Sequence, residues 1–315
     1  MTSPFFEIPE NPTPERARAD FIQTRDGRRL RYALFGAVTQ PHKGTVILLQ
    51  GRNECVEKYF ETIRDLQERG LAVATYDMRG QGASDRMLSD PQKGYVDSFA
   101  DHVSDLEQLF REVFLPDCRG PFFILGHSTG SLVALMAAPW MINRVQRMVL
   151  SAPLIEMKGM YGFSMPTVRR ISTALYSVGL GTMYLGSGPR RSATPFATNV
   201  LTTDHNRYRR NVALYDAYPQ LALGGPTVAW IRAACLAVES VKDEDFIARI
   251  QLPTLFIAAG SDDVVSTPAI EVYAHNLRST SMLTIDGARH ELLQEADRYR
   301  EQFLAAFDAF VPGAS

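Results

Sequence analysis

From Thr45 onward, short runs of apolar residues alternate with stretches in which apolar positions recur at helical spacing. The runs at 46–49, 72–76, 122–125, 148–151, 255–259 and 282–285 are apolar throughout but for Thr75, Ser151 and Thr284, the pattern of strands buried on both faces. Helical periodicity covers 56–69, 98–114, 131–141, 267–276 and 295–310. Strand followed by helix, repeated in this way, predicts an α/β fold with a mostly parallel, doubly wound sheet.

Three stretches depart from that rhythm. Pro4, Pro9, Pro12 and Pro14 fix φ and disfavour helix before them, so residues 1–18 read as an extended arm, whose Phe5, Phe6 and Ile8 are free to dock on the body. Residues 21–24 and 30–35 flank an Asp26-Gly27 turn and predict an antiparallel hairpin. Between the strands ending near Ser151 and beginning near Leu255 lie about a hundred residues, far more than a strand-to-helix connection needs. We therefore expect a core of 19–153 and 250–315 and an inserted lid at 154–249, with helices over 207–218 and 227–241. Insertions at the carboxyl edge of such a sheet lie over the site. Met157, Met160, Tyr161, Phe163, Met165, Tyr176, Met183 and Tyr184 either form the lid's own core or offer an apolar surface to a substrate.

Composition narrows the function. The 315 residues are 45% hydrophobic, enough for a large core, and 33 basic against 35 acidic residues leave a net charge of -2. No whole-chain field draws the protein to nucleic acid. Cys55, Cys118 and Cys235 lack any metal-ligand spacing and read as free thiols. The N-terminus has no basic and apolar leader pattern, and the longest apolar helical run, 132–142, is too short to span a bilayer and contains Pro139. The expectation is a cytoplasmic protein. Peripheral membrane contact would fall to the lid or to Phe5 and Phe6, but no basic amphipathic stretch supports it. Oligomeric state is not readable.

The chemistry lies at Gly126-His127-Ser128-Thr129-Gly130, between an apolar strand and an apolar helix. A serine at so sharp a turn needs small residues two positions to either side, because a Cβ there would strike the flanking strand and helix. Ser128 is thus the candidate nucleophile, and it needs a base and an orienting acid. Of six histidines, His127 points away from its neighbour and packs beneath the turn, while His42, His102, His205 and His275 read as surface residues. His290 follows the last strand, at the carboxyl edge where the serine also lies. Asp262 and Asp263 both follow the preceding strand; the spacing from Gly260 favours Asp263. The order Ser128, Asp263, His290 is that of α/β-hydrolases, unlike that of chymotrypsin-like or subtilisin-like proteases. Backbone N–H groups of Thr129 and of Arg52, in the loop Gln50-Gly51-Arg52-Asn53-Glu54, are the candidate oxyanion donors.

With these pieces placed, residues 21–310 resemble an α/β-hydrolase of the lysophospholipase and monoacylglycerol lipase branch. Asp77-Met78-Arg79-Gly80-Gln81-Gly82-Ala83-Ser84 is similar to the family's D-x-R-G-x-G-x-S strand-end signature. Residues 126–130 match its nucleophile turn, and Gly260 to Asp263 and Gly287 to Leu292 its acid and histidine segments. Gln50 departs from the histidine many relatives carry, while Gly51-Arg52-Asn53-Glu54 followed by Tyr59 looks similar to bacterial lysophospholipases. The resemblance implies a serine esterase acting on a small hydrophobic ester, with no cofactor and no metal. Acyl transfer, lactone hydrolysis with the same triad, and ligand binding without catalysis are the alternatives.

Overall fold

The computed structural model describes residues 5–158, 162–190 and 194–312; Met160 and Tyr161 lie outside them. Its sheet has eight strands, β1 (Ala17–Gln23), β2 (Arg29–Phe35), β3 (Gly44–Leu49), β4 (Leu71–Tyr76), β5 (Phe122–His127), β6 (Arg147–Ser151), β7 (Thr254–Ala259) and β8 (Thr280–Ile285), in the order β1-β2-β4-β3-β5-β6-β7-β8. The β1–β2 hairpin and the β2–β4 pair are antiparallel, and from β4 onward every pair is parallel. β3 and β5, central and covered on both faces, are buried at every position, as their continuous apolar runs require.

The helices are α1 (Phe60–Glu68), α2 (Phe99–Leu109), α3 (Leu115–Asp117), α4 (Thr129–Met141), α5 (Met165–Ser177), α6 (His205–Ala217), α7 (Val228–Val241), α8 (Glu244–Arg249), α9 (Thr267–His275) and α10 (Asp297–Phe310). On one face of the sheet, Phe60, Ile63 and Leu66 of α1 pack with Phe303 and Phe307 of α10. On the other, α2, α4, α7 and α9 form the larger core. α4 is apolar on nearly every side because it is sandwiched between sheet and helices, and that is why its sequence lacks a polar stripe. The periodicity over 98–114 is broken in space by a π turn, Phe110–Phe114, between α2 and α3.

The arm docks. Phe5 sits inside the fold against the rings of Phe35 and Phe60, with centroids 5.6 and 5.8 Å away, and Phe6 lies over Tyr218 and Arg31. Phe5 is thereby buried in the core on the α1 face of the sheet. Between Ser151 and Thr254 run α5 to α8, with α5 packed on α7. α5 has no counterpart among the expected helices: Val168 and Ser172 are its buried positions, too few to set an apolar period. No helix of the described residues is long and apolar enough to cross a membrane.

His102 differs from its surface reading. It is buried on α2 beside the Phe99 ring, and burial, aided by the Arg79 charge, pulls its pKa down to about 3. The unfolded chain takes up a proton near pH 6.5 that the folded chain refuses until about pH 3. This stability is whole above pH 6.5 and is lost as pH falls through that window. Urea midpoints at pH 6.5, 5.5 and 4.5 are expected to show the wild type losing about 1 kcal/mol per pH unit more than His102→Gln.

Candidate active site

Ser128 stands at the junction of β5 and α4 with φ 50° and ψ -112°, a conformation few residues other than glycine adopt. Its N–H donates to Ser151 O (2.9 Å), and its own carbonyl accepts from the N–H groups of Ser131, Leu132 and Leu154 (3.1, 3.2 and 3.2 Å). The turn is held by β6 and by the chain beyond it. The flanking glycines are obligatory on contact grounds. A Cβ on Gly130 would lie 2.3 Å from Leu49 O, and one on Gly126 would lie 2.9 Å from Ser131 Cα.

His290 and Asp262 enter from the loops after β8 and β7. Ser128 Oγ is 3.0 Å from His290 Nε2, and His290 Nδ1 is 2.7 Å from Asp262 Oδ2. The carboxylate favours the tautomer with a proton on Nδ1, which leaves Nε2 as acceptor for the serine hydroxyl. Asp262 Oδ1 accepts from Val264 N (2.7 Å) and Val265 N (3.0 Å), which fixes the carboxylate plane. Burial would raise its pKa, but the hydrogen bond and charge of His290 and these two N–H groups outweigh burial and hold it below the usual carboxylate value.

The acid is therefore not where the Gly260 spacing puts it. Asp263 is 58% exposed and pairs with Lys158 Nζ at 2.8 Å, facing away from the imidazole. Neighbouring side chains diverge here, and the buried direction belongs to Asp262, whose carboxylate also closes the turn onto the next two N–H groups. Those turn bonds are the local signal that glycine spacing does not carry.

Around the oxyanion loop, Gly51 N–H donates to Glu54 Oε2 (2.5 Å) and Asn53 N–H to Gln81 Oε1 (3.2 Å). The Arg52 and Thr129 N–H groups have no protein acceptor among the described residues. Both residues line the cavity with Ser128 and His290. Gln50 is buried, with only 3.5 Å contacts to Thr75 and Asp77.

A buried charge cluster went unread in the sequence. Lys58 Nζ donates to Glu54 Oε1 (2.7 Å) and to Glu291 Oε1 (2.6 Å), tying the oxyanion loop to the residue after His290. The four-residue step from Glu54 to Lys58 was its one sequence signal. Burial opposes the charge on Glu54, yet Lys58 and His127, with hydrogen bonds from Lys58 and Tyr59, hold its pKa at about 2. His127 packs against the His290 ring, with centroids 4.9 Å apart, and burial keeps it neutral with a pKa of about 4.

The cavity over Ser128 measures about 790 Å³. Its apolar wall comes from Leu154, Met157, Leu201, Val212, Trp230 and Ile231. Of the Met and Tyr residues expected to offer this surface, Met157 alone does so among the described residues; Phe163 and Met183 face outward, and the wall is built instead from the branched and aromatic residues of α6, α7 and their loops. Cys55, Cys118 and Cys235 are free thiols, and no cluster able to hold a metal occurs among the described residues.

A buried Ser-His-Asp relay, opening at the carboxyl edge of this sheet beneath a helical insertion, marks a serine hydrolase built on the α/β-hydrolase fold. Within that superfamily the chain belongs to the serine aminopeptidase S33 family, whose model matches residues 40–297. It is similar to lysophospholipase L2 of Escherichia coli strain K12, at 32% identity over 313 residues, covering 94% of this chain and 87% of that protein. Among solved structures, a soluble variant of monoglyceride lipase from Saccharomyces cerevisiae shares the fold with TM-score 0.75 at 19% identity, covering 100% of this chain and 99% of that one. A monoacylglycerol lipase from Paleococcus ferrophilus does so with TM-score 0.71 at 20% identity, covering 90% and 99%.

Proposed function

We propose that this serine hydrolase cleaves the carboxylic ester of single-acyl lipids, as a lysophospholipase or monoacylglycerol lipase. The observation that carries the reading is the Ser128–His290–Asp262 relay opening into a cavity whose wall is apolar enough to take an acyl chain. The identity with lysophospholipase L2 supports the same substrate class.

Ser128 Oγ attacks the ester carbonyl carbon as His290 Nε2 takes its proton. Asp262 keeps the imidazole in the required tautomer and stabilises its charged form. The N–H groups of Arg52 and Thr129 donate to the oxyanion, and His290 then passes its proton to the departing alcohol. Water, deprotonated by His290, attacks the acyl-serine and releases the fatty acid and free Ser128.

The test is the wild-type enzyme on a panel of p-nitrophenyl esters from short to long chain, 1-monoacylglycerols and lysophospholipids. The highest kcat/KM is expected on the long single-acyl lipids. Turnover confined to the short p-nitrophenyl esters would overturn the lipid assignment while leaving the serine esterase intact.

A further inference from the structure

Nearly all the charged side chains lining the cleft have an ion-pair partner within the protein. Lys58 lies between Glu54 and Glu291, Lys158 pairs with Asp263 at 2.8 Å, and Arg190 reaches Asp216 at 3.2 Å. Arg52 is the exception: no carboxylate of the described residues lies within 4.0 Å of it. Its Nη2 donates to the neutral carbonyl of Gly224 (2.5 Å), its guanidinium lies 5.4 Å from the Trp230 ring centroid, and its Nε–H is buried with no acceptor among the described residues. Gly94 makes room for it, since a Cβ there would come within 2.8 Å of Nη2. Burial, only slightly opposed by Tyr184, lowers its pKa to about 10, so the side chain is still cationic at neutral pH.

A partly buried guanidinium without a counter-charge is costly unless something else supplies the charge. The same residue offers its main-chain N–H to the reacting carbonyl, so the cation stands one side-chain length from the ester. In a lysophospholipid the phosphate stands one glycerol backbone from the ester. Phosphate presents paired oxygens that a guanidinium can bind bidentately.

We propose that the Arg52 side chain binds the phosphate of a substrate head group and so selects lysophospholipids over neutral monoacylglycerols. This rests on the single-acyl lipid reading above. The shared chemistry is a phosphate ester, and a soluble glycerol phosphate would satisfy it as well as a lipid.

The test compares kcat/KM on 1-palmitoyl-lysophosphatidylcholine and 1-palmitoylglycerol, both below their aggregation concentrations, for wild type, Arg52→Gln and Arg52→Lys. Disturbance of the oxyanion loop is common to both substrates and cancels in their ratio. The ratio of phospholipid to neutral lipid is expected to fall about tenfold or more in Arg52→Gln and to recover in part in Arg52→Lys, which keeps the charge should the glutamine variant not fold. An unchanged ratio would overturn the assignment of Arg52, whereas loss of both lipid activities in the wild type itself would overturn the underlying reading. In a second arm, sn-glycerol 3-phosphate is added to wild type and Arg52→Gln hydrolysing 1-palmitoylglycerol. Competition that weakens in the variant, alongside the changed ratio, supports the site; competition with no change in the lipid ratio means a free phosphate ester is bound and overturns the head-group role.

Discussion

Ser128→Ala and Asp262→Asn are each expected to lower kcat on any ester by about 10⁴-fold or more, while Asp263→Asn stays within about twofold. The serine substitution removes the atom that becomes acylated. The Asp262 substitution acts through geometry: an asparagine at 262 can present its NH₂ to Nδ1, and a ring that accepts there carries its proton on Nε2, where it cannot take one from Ser128. A 10⁴-fold loss is about 5.5 kcal/mol of transition-state stabilisation, far beyond what an exposed ion pair contributes. Asp263 holds only such a pair, with Lys158. Steady-state kinetics of the three variants on p-nitrophenyl butyrate, with far-ultraviolet circular dichroism to show that each is folded, decides the matter. Equal losses at 262 and 263 would contradict the geometry.

That contrast also marks the limit of what the chain disclosed before its structure. The sheet was legible because β3 to β7 are covered on both faces, and a strand in that position is apolar along most of its length rather than at alternate positions. Ser128 was legible because a serine between Gly126 and Gly130 at a strand-to-helix junction answers a steric demand that the Leu49 and Ser131 backbones impose. His290 followed from its place after the last strand. The acid was placed one residue too late, at Asp263: it and Asp262 differ in which way a loop turns, and the Val264 and Val265 N–H groups that decide it are backbone groups, invisible in residue types. The insertion was legible as an interruption but not in its walls. Met-rich composition pointed to 157–184, yet most of the cavity wall comes from α6, α7 and adjoining loops, whose apolar residues are ordinary core types. Charge pairing over long separations, as between Lys58 and Glu291, left no local trace at all.

Arg31→Met is expected to destabilise the fold by about 3–5 kcal/mol. Arg31 is 1% exposed, and its guanidinium is fully engaged by two carboxylates. Nη1 and Nη2 donate to Glu57 Oε1 and Oε2 at 2.6 and 2.8 Å, and Nε donates to Asp77 Oδ2 at 2.8 Å. Burial alone would weaken the cation, but Asp77 and then Glu57 raise its pKa above the ordinary arginine value. Asp77 is also the anchor of the glycine-rich loop after β4: it accepts from Val56 N (2.9 Å) and Ala83 N (2.7 Å), and a Cβ on Gly82 would collide with its carboxylate. Methionine fills the volume of arginine but leaves two buried carboxylates facing each other, so their repulsion and desolvation fall on the segment leading into α1 and on the loop that carries Gln81 beneath the oxyanion turn. Arg31→Lys keeps one charge without the fork and should lose less. Urea unfolding of wild type, Arg31→Met and Arg31→Lys at pH 7 separates the terms: a smaller loss in Arg31→Lys assigns the effect to the stranded charges, whereas equal losses in the two variants would assign it to packing and the lost fork.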